Sequence, residues 1–499
     1  MNAQIRKVGL TLLVGFLAVF LQLNYVQIFA AEEIASHNAN IRALLREYSI
    51  RRGRIVTLDG VEVAVSKKTG GRLKFQRLYP GGELYGHITG FYSFVYGESR
   101  IESSYNDQLL GESGVISMQD IEDRFLGSGE RGDDVRLTID SQLQEIARAE
   151  LGSQEGAVVA MDPTTGEVRA MYATPSYDPT GLAVHDAGEI RAYWRSLNPT
   201  SPTSPVVSKE TSIGYPAGST FKVITAAAAL ESGEYTPNST FPDPQALLPC
   251  SESSPPCLPQ TNQSLTNFTR TACTGAGNID LFTALEISCD TTFAILGLRL
   301  HREVFDMSEA LGFNDALPFD VGTEASGFPF VEDDNQPFRA YQAIGQGDVI
   351  ATPLQMAVVA ATVANGGDVP RPQLVREIID ASGGVVRRSS PETLRSAMSS
   401  RTADQLTDMM VAVVESGTGT AAQIPGVAVA GKTGTAQTGT QGAAPHAWFI
   451  TFAPANNPKL AVAVIVENGG TFGSEATGGA VAAPIARAIL EADRRIRSW

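Results

Sequence analysis

The chain has 499 residues, enough for two or three domains; 43% are apolar, which allows a large core, and 18% are charged, too few for a disordered chain. A net charge of −16 argues against nucleic acid as a partner, because a phosphate backbone needs a basic face. The first 150 residues hold 17 Lys+Arg against 19 Asp+Glu and the remainder 21 against 35, so surface character changes near residue 150.

In chain order, Arg6 and Lys7 precede an apolar run from Val8 that continues to Ala31, before Glu32 and Glu33. Positive charge in front and acid behind is the positive-inside pattern, and the run is long enough to cross a hydrocarbon core of roughly 30 Å. Phe29-Ala30-Ala31 is a poor signal-cleavage site, so an uncleaved anchor is the better reading than a removed leader. Residues 32–50 read as a helix, with Ile41, Leu44, Leu45 and Tyr48 on one face. Residues 51–130 read as short Gly-rich β-like pieces with little core of their own: Arg54–Leu58, a turn at Asp59-Gly60, Val61–Val65, and a similar segment from Leu84 to Tyr96.

A strand over Val135–Ile139 leads to a helix capped by Asp140 or Ser141. Gly156–Met161 and Glu167–Ala173 then form a hairpin about Asp162-Pro-Thr-Thr-Gly166. Residues 238–275, rich in Pro, Ser, Thr and Asn, read as a long loop. Val427–Ala430, His446–Phe452 and Leu460–Val466 read as further strands, and a helix from about Gly479 to Arg497 ends the chain. Strands at both ends of this region with helices between them imply an α+β domain built on an antiparallel sheet. The expected division is therefore 1–31 as stub and anchor, 32–150 as an extended β-rich pedestal, and 151–499 as the chemical domain.

Cys250, Cys257, Cys273 and Cys289 form an even cluster, which in an exported chain suggests one or two disulfides. No CxxC pair accompanies them and the five histidines are scattered, so no metal site is expected, and no cofactor motif is evident.

Three short motifs carry chemistry. The first is Ser219-Thr-Phe-Lys222, preceded by Pro216 and Gly218 and followed by a small apolar helix. A serine in the first turn and a lysine three residues on share one face, so a desolvated Lys222 can take the proton that makes Ser219 nucleophilic. Alone, an N-cap serine with a snorkelling lysine explains the pattern as well. The second is Ser288-Cys289-Asp290, which alone is an ordinary turn or cap. The third is Lys432-Thr433-Gly434-Thr435, on a strand. Lys432 or Thr433 can hold a carboxylate there, Gly434 leaves the backbone bare, and the N–H groups of Thr435 and Ser219 can form an oxyanion hole. Their order and their gaps of about 66 and 142 residues make the set far more specific than any member.

On this motif set the chain resembles the class B, monofunctional penicillin-binding proteins, and most closely their actinobacterial A-type members. Arg52-Gly53-x-Ile55, the segment Gly97–Gly111 with Glu102, Tyr105 and Asn106, Ile344-Gly-Gln-Gly347 and His446-Ala-Trp-Phe449 are also similar to that family. The resemblance implies a serine β-lactamase-like transpeptidase fold and a D,D-transpeptidase of cell-wall synthesis, in cell division or growth. In that scheme Ser219 attacks the penultimate D-Ala of a D-Ala-D-Ala stem peptide, and Lys222 is the base. Ser288 relays the proton, and Lys432 and Thr433 bind the terminal carboxylate. β-Lactams acylate the same serine. The resemblance also implies the cytoplasmic membrane, a membrane glycosyltransferase and division proteins as partners. Pairings Cys273–Cys289, beside the second motif, and Cys250–Cys257 are expected. A D,D-carboxypeptidase, a division scaffold and a β-lactamase are the rivals; no glutamate motif suited to rapid deacylation is evident between Ser288 and Lys432.

The family's middle motif usually ends in Asn, where this chain has Asp290. A carboxylate favours the charged form of a neighbouring lysine, against its use as a base, so either Asp290 pairs mainly elsewhere or Lys222 is tuned differently. Asp290→Asn is expected to keep acylation, checked by intact-mass detection of a covalent penicillin adduct; total loss would show that the two residues are not interchangeable.

Overall fold

The structure, a computed structural model, describes residues 2–28, 41–112, 131–332, 335–438 and 442–499. Helix α1 (Asn2–Ile28) contains the stretch Arg6–Tyr25, long and apolar enough to cross a membrane. Its polar Thr11 and Asn24 donate to the carbonyls of Lys7 (3.0 Å) and Phe20 (2.8 Å), which satisfies them inside the helix itself. Of the helix expected over 32–50, α2 (Ile41–Glu47) is present; its 32–40 portion, the Phe29–Ala31 end of the apolar run and pedestal residues 113–130 lie outside the described residues.

Short strands β1 (Ile55–Val56), β2 (Glu62–Lys68), β3 (Phe75–Leu78) and β4 (Asp134–Leu137) come next. Helix α3 (Ser141–Leu151) follows, its N-terminus capped by the Asp140 carboxylate. The hairpin β5 (Gly156–Met161) and β6 (Val168–Thr174) opens the second sheet. Helices α4 (Lys222–Glu231), α5 (Leu281–Glu286), α6 (Asp290–Arg299) and the mostly apolar α7 (Pro353–Ala364) lead to the hairpin β7 (Val375–Ile379) and β8 (Val385–Arg388). Helix α8 (Ser400–Glu415), strands β9 (Ala430–Ala436), β10 (His446–Ala453) and β11 (Leu460–Val466), and helix α9 (Ala483–Arg497) complete the chain.

The five-stranded sheet runs β9-β10-β11-β5-β6, antiparallel throughout. Strand alternation gives it two buried faces. Ala157, Val159, Met161, Ala461, Ala463 and Ile465 face the core shared with α7. Val158, Ala160, Val462 and Val464 face Leu143 and Ala147 of α3 and Ile485 and Ile489 of α9. Strand β9 forms one edge, which leaves one side of its backbone free of strand partners.

The other large sheet runs β8-β7-β4-β1-β2-β3, so strands from residues 375–388 complete a sheet begun by the N-terminal segment. This corrects the expectation of a pedestal with little core. Ile55, Val63, Tyr79, Ile88, Ile101, Tyr105, Leu109 and Val135 are buried in the same cluster as residues of helices α4 to α7. Its centre is ionic: Glu102, 0% exposed, accepts from Arg52 Nε (2.6 Å), Arg77 Nε (2.6 Å) and Tyr79 OH (3.1 Å). Burial pushes the Glu102 carboxyl up, but Arg77 and Arg52 outweigh it and hold it below the usual range. The backbone closes tightly here: a Cβ on Gly53 would meet the Asp133 carbonyl at 1.8 Å.

Three further readings change. Leu84–Tyr96 is mostly helical turns, at Gly82–Leu84 and Gly86–Thr89, with only Tyr92–Ser93 extended. The strand read over Val427–Ala430 begins at Ala430 and runs through the Lys-Thr-Gly motif. The 238–275 loop contains the paired short strands Ala246–Leu247 and Leu265–Thr266, and it buries Phe241, Leu247 and Leu258.

Glu102→Ala leaves two arginines buried without their carboxylate. It should cost about 3–5 kcal/mol and lower the thermal midpoint clearly. Removing Glu145 from its exposed pair with Arg148 should cost less than about 1 kcal/mol, so calorimetry of both variants separates the buried from the surface contribution.

Candidate active site

Ser219 lies in a 3-10 turn, Gly218–Phe221, that runs directly into α4. The turn is held from outside. Trp448 Nε1 donates to Pro216 O (3.0 Å), Gly218 N to Gly345 O (2.8 Å), and Thr220 Oγ1 to Ala217 O (2.6 Å). Gly218 has φ +54°, a left-handed conformation that a side chain would strain. Every residue from Lys222 to Leu230 is buried, whereas Ser219 is half-exposed. Lys222 therefore reaches the site from a dry helix while Ser219 stays accessible.

The second motif bridges two helices. Asp280 caps α5 by accepting from Thr283 N, α5 ends, and Asp290 is the first residue of α6. Ser288 sits between them at φ +64°, an uncommon conformation for a non-glycine residue and one that often marks a functional position. Cys289 is bonded to Cys273, and Cys250 to Cys257, so all four cysteines are paired as expected.

The third motif lies along the edge strand β9, with Lys432 opposite Ile450, Gly434 opposite Trp448 and Thr435 opposite Ala447. A Cβ on Gly434 would meet Thr220 Cγ2 at 2.9 Å and Trp448 Cβ at 3.0 Å. The missing side chain thus makes room for the Ser219 turn, a tighter constraint than the open backbone read from the sequence. Where Gly218 would carry a Cβ, that atom would lie 3.1 Å from Thr435 O, so the end of β9 and the nucleophile turn abut.

The three motifs meet at Ser288. Lys432 Nζ donates to Ser288 Oγ (2.8 Å) and to Thr433 O (3.0 Å). Lys222 Nζ donates to Ser288 Oγ (3.2 Å), Ser288 O (2.8 Å) and Asp290 Oδ1 (2.6 Å). Asp290 therefore pairs directly with Lys222, which settles that alternative, and its second oxygen accepts from Phe268 N (3.0 Å). Burial pushes the Lys222 ammonium below the usual lysine value, opposed by Asp290. Burial and then the charge of Lys222 push Lys432 well below it, again opposed by Asp290. Two fully buried lysines thus meet at one hydroxyl, with Lys222 alone in hydrogen-bond contact with Asp290, and burial favours the neutral form of each.

Two contacts were not legible in the sequence. Thr418 Oγ1 and Thr433 Oγ1 lie 2.6 Å apart, which puts an exposed threonine from the loop after α8 beside the strand motif. Its only sequence signal is the small-residue run Ser416-Gly-Thr-Gly-Thr420, which reads as a plain turn. The second is the Phe268 amide on Asp290, in a loop without a motif of its own.

Residues 156–491 match the penicillin binding protein transpeptidase domain, and residues 52–135 the penicillin binding protein A dimerisation domain. The chain is 39% identical to the peptidoglycan D,D-transpeptidase PbpA of Mycolicibacterium smegmatis, over 99% of each chain. It is 37% identical to the protein of the same name from Mycobacterium tuberculosis, again over 99% of each. The solved ceftriaxone acyl-enzyme complex of penicillin-binding protein A from M. tuberculosis aligns with a TM-score of 0.84 at 37% identity, covering 90% of this chain and 99% of that one. The shared catalytic fold, the two matched domains and full-length similarity at this level mean that this chain belongs to the penicillin-binding protein family of peptidoglycan D,D-transpeptidases.

Proposed function

We propose that this chain cross-links peptidoglycan stem peptides through a Ser219 acyl-enzyme, outside a cytoplasmic membrane that α1 spans once. In this reading residues 1–31 are the stub and anchor, 32–150 the pedestal and 151–499 the penicillin-binding domain. A membrane glycosyltransferase and division proteins are its partners. The observation that carries the reading is a single hydroxyl, Ser288 Oγ, held by both Lys222 and Lys432 beside the nucleophile turn.

Ser219 Oγ attacks the carbonyl of the penultimate D-Ala while Lys222 takes its proton. The backbone N–H groups of Ser219 and Thr435 receive the developing oxyanion. Ser288 passes the proton from Lys222 to the departing D-Ala amine, and the amine of a second stem peptide then attacks the ester, with the proton path reversed. The substrate carboxylate is received at Thr433, beside Thr418, next to Lys432. That anion supplies Lys432 with the counter-charge it lacks. Lys432 then holds a proton more firmly, and Lys222 gives one up through Ser288, whose oxygen contacts both amines. Substrate binding thus prepares the base despite its pairing with Asp290. A β-lactam carries a carboxylate and a strained amide, and enters the same path.

Intact-mass measurement of the soluble part, from about residue 35, with excess penicillin should show a one-drug adduct that lasts for hours and is absent in Ser219→Ala. Rapid turnover without an adduct would indicate a β-lactamase, and neither adduct nor turnover a scaffold. Asp290 raises the Lys222 pKa, so Asp290→Asn should move the acidic limb of the acylation pH profile to lower pH. An unmoved or upward-shifted limb would assign it to another group.

A further inference from the structure

The loop 267–273 carries no family motif, yet three consecutive residues at the start of α6 hold it. Cys289 is bonded to Cys273. Asp290 Oδ2 accepts from Phe268 N (3.0 Å), and Thr291 N donates to Asn267 Oδ1 (3.0 Å). Within the loop, Asn267 Nδ2 donates to Thr271 O (2.9 Å) and Arg270 N to Asn267 O (2.9 Å). Behind it, Asp243 accepts from the amides of Cys273 (2.7 Å), Thr274 (2.7 Å) and Gly275 (3.0 Å). The backbone is therefore fixed at both ends and in the middle.

On this fixed loop stands Phe268, with its side chain 70% exposed and outside the described hydrophobic clusters. Single exposed aromatics are common on protein surfaces. This one differs in its place. Its backbone amide is two hydrogen bonds from the Lys222 ammonium, through the two oxygens of Asp290. A carboxylate can accept on both oxygens at once, whereas an amide at that position offers only one acceptor. Asp290 therefore ties the backbone of this exposed aromatic residue to Lys222. An exposed ring on a pre-organised loop contributes contact area with little ordering cost on binding.

We propose that Phe268 is a specificity-determining residue that packs against the apolar arm, aryl or aliphatic, of the acyl donor next to its reacting carbonyl. The proposal rests on Ser219 acylation as described above. The test measures second-order acylation of the detergent-solubilised full chain by benzylpenicillin, which has an aryl arm, and by 6-aminopenicillanic acid, which has none. Phe268→Ala should lower the rate constant for benzylpenicillin about tenfold and leave that for 6-aminopenicillanic acid within roughly twofold, as expected for loss of one aromatic contact. Phe268→Tyr should restore most of the difference, and the thermal midpoints of both variants should match the parent. Equal losses for both compounds, or no loss for either, would overturn the assignment. Failure of the parent itself to be acylated by either compound would overturn the Ser219 reading, and this one with it.

Discussion

The pairing of Gly156–Met161 with Leu460–Val466 is the contact on which the remaining architecture depends. It joins the first strands of the catalytic region to its last, and everything between them becomes a closed insertion. The entropy cost of such a closure grows only slowly with loop length, so a long helical insertion between the two strand groups is tolerable. Once the pairing forms, β10 and β9 extend the sheet and α7 and α9 cover its two faces. Lys432 is then delivered beside Ser288, which lies between α5 and α6 of the insertion.

The packed sheet and helices also bury the two lysines of the site. Lys222 and Lys432 are both fully buried, with the Ser288 hydroxyl between them and Asp290 paired to Lys222. Burying cations is unfavourable, and clusters of this kind are more often retained for chemistry than for stability. The strain at Ser288 points the same way: its left-handed backbone is held where α5 and α6 meet, and its hydroxyl touches both amines. Glycines do the complementary work. The Gly434 and Gly218 positions let the edge strand and the nucleophile turn approach to distances that any side chain would prevent.

The N-terminal segment is tied into the catalytic region at several points. Strand β7 completes its sheet, Asp320 joins Tyr105 OH (2.5 Å) to the amides of Leu374 (2.6 Å) and Val375 (3.0 Å), and Arg100 donates to Thr211 (3.2 Å) and Ser208 (3.2 Å). Glu102 with its two arginines sits beside the buried apolar residues of that segment, such as Tyr79 and Ile101. These contacts make the pedestal and the catalytic region parts of one packed body among the described residues, so displacement of one is felt by the other.

Much of the design is local and therefore readable in order along the chain. The unbroken apolar runs over Gly156–Met161 and Leu460–Val466, the apolar stretch after Lys7, the clustered cysteines and the three motifs in sequence were enough to read an α+β chain of this family with an apolar N-terminal helix, and the fold agrees. The misses share one cause. The pedestal strands are short, and Arg77 on β3 and Glu102 on the helical turn Arg100–Ser104 look like surface residues until they are seen paired in the interior. Leu84–Tyr96 has a strand-like composition, but its Gly-rich backbone turns into helical pieces against neighbours far away in sequence. Asp290 was visibly unusual, yet its two partners, Lys222 and Phe268, are long-range contacts and leave no periodic trace. The sequence by itself determined most of the elements, the apolar N-terminal helix and the three motifs, because propensity, periodicity and short motifs act over a few residues. Only the tertiary structure decided which lysine meets which oxygen, how the pedestal is held together and which loop amide meets Asp290, because those depend on strand pairing and helix packing between distant segments.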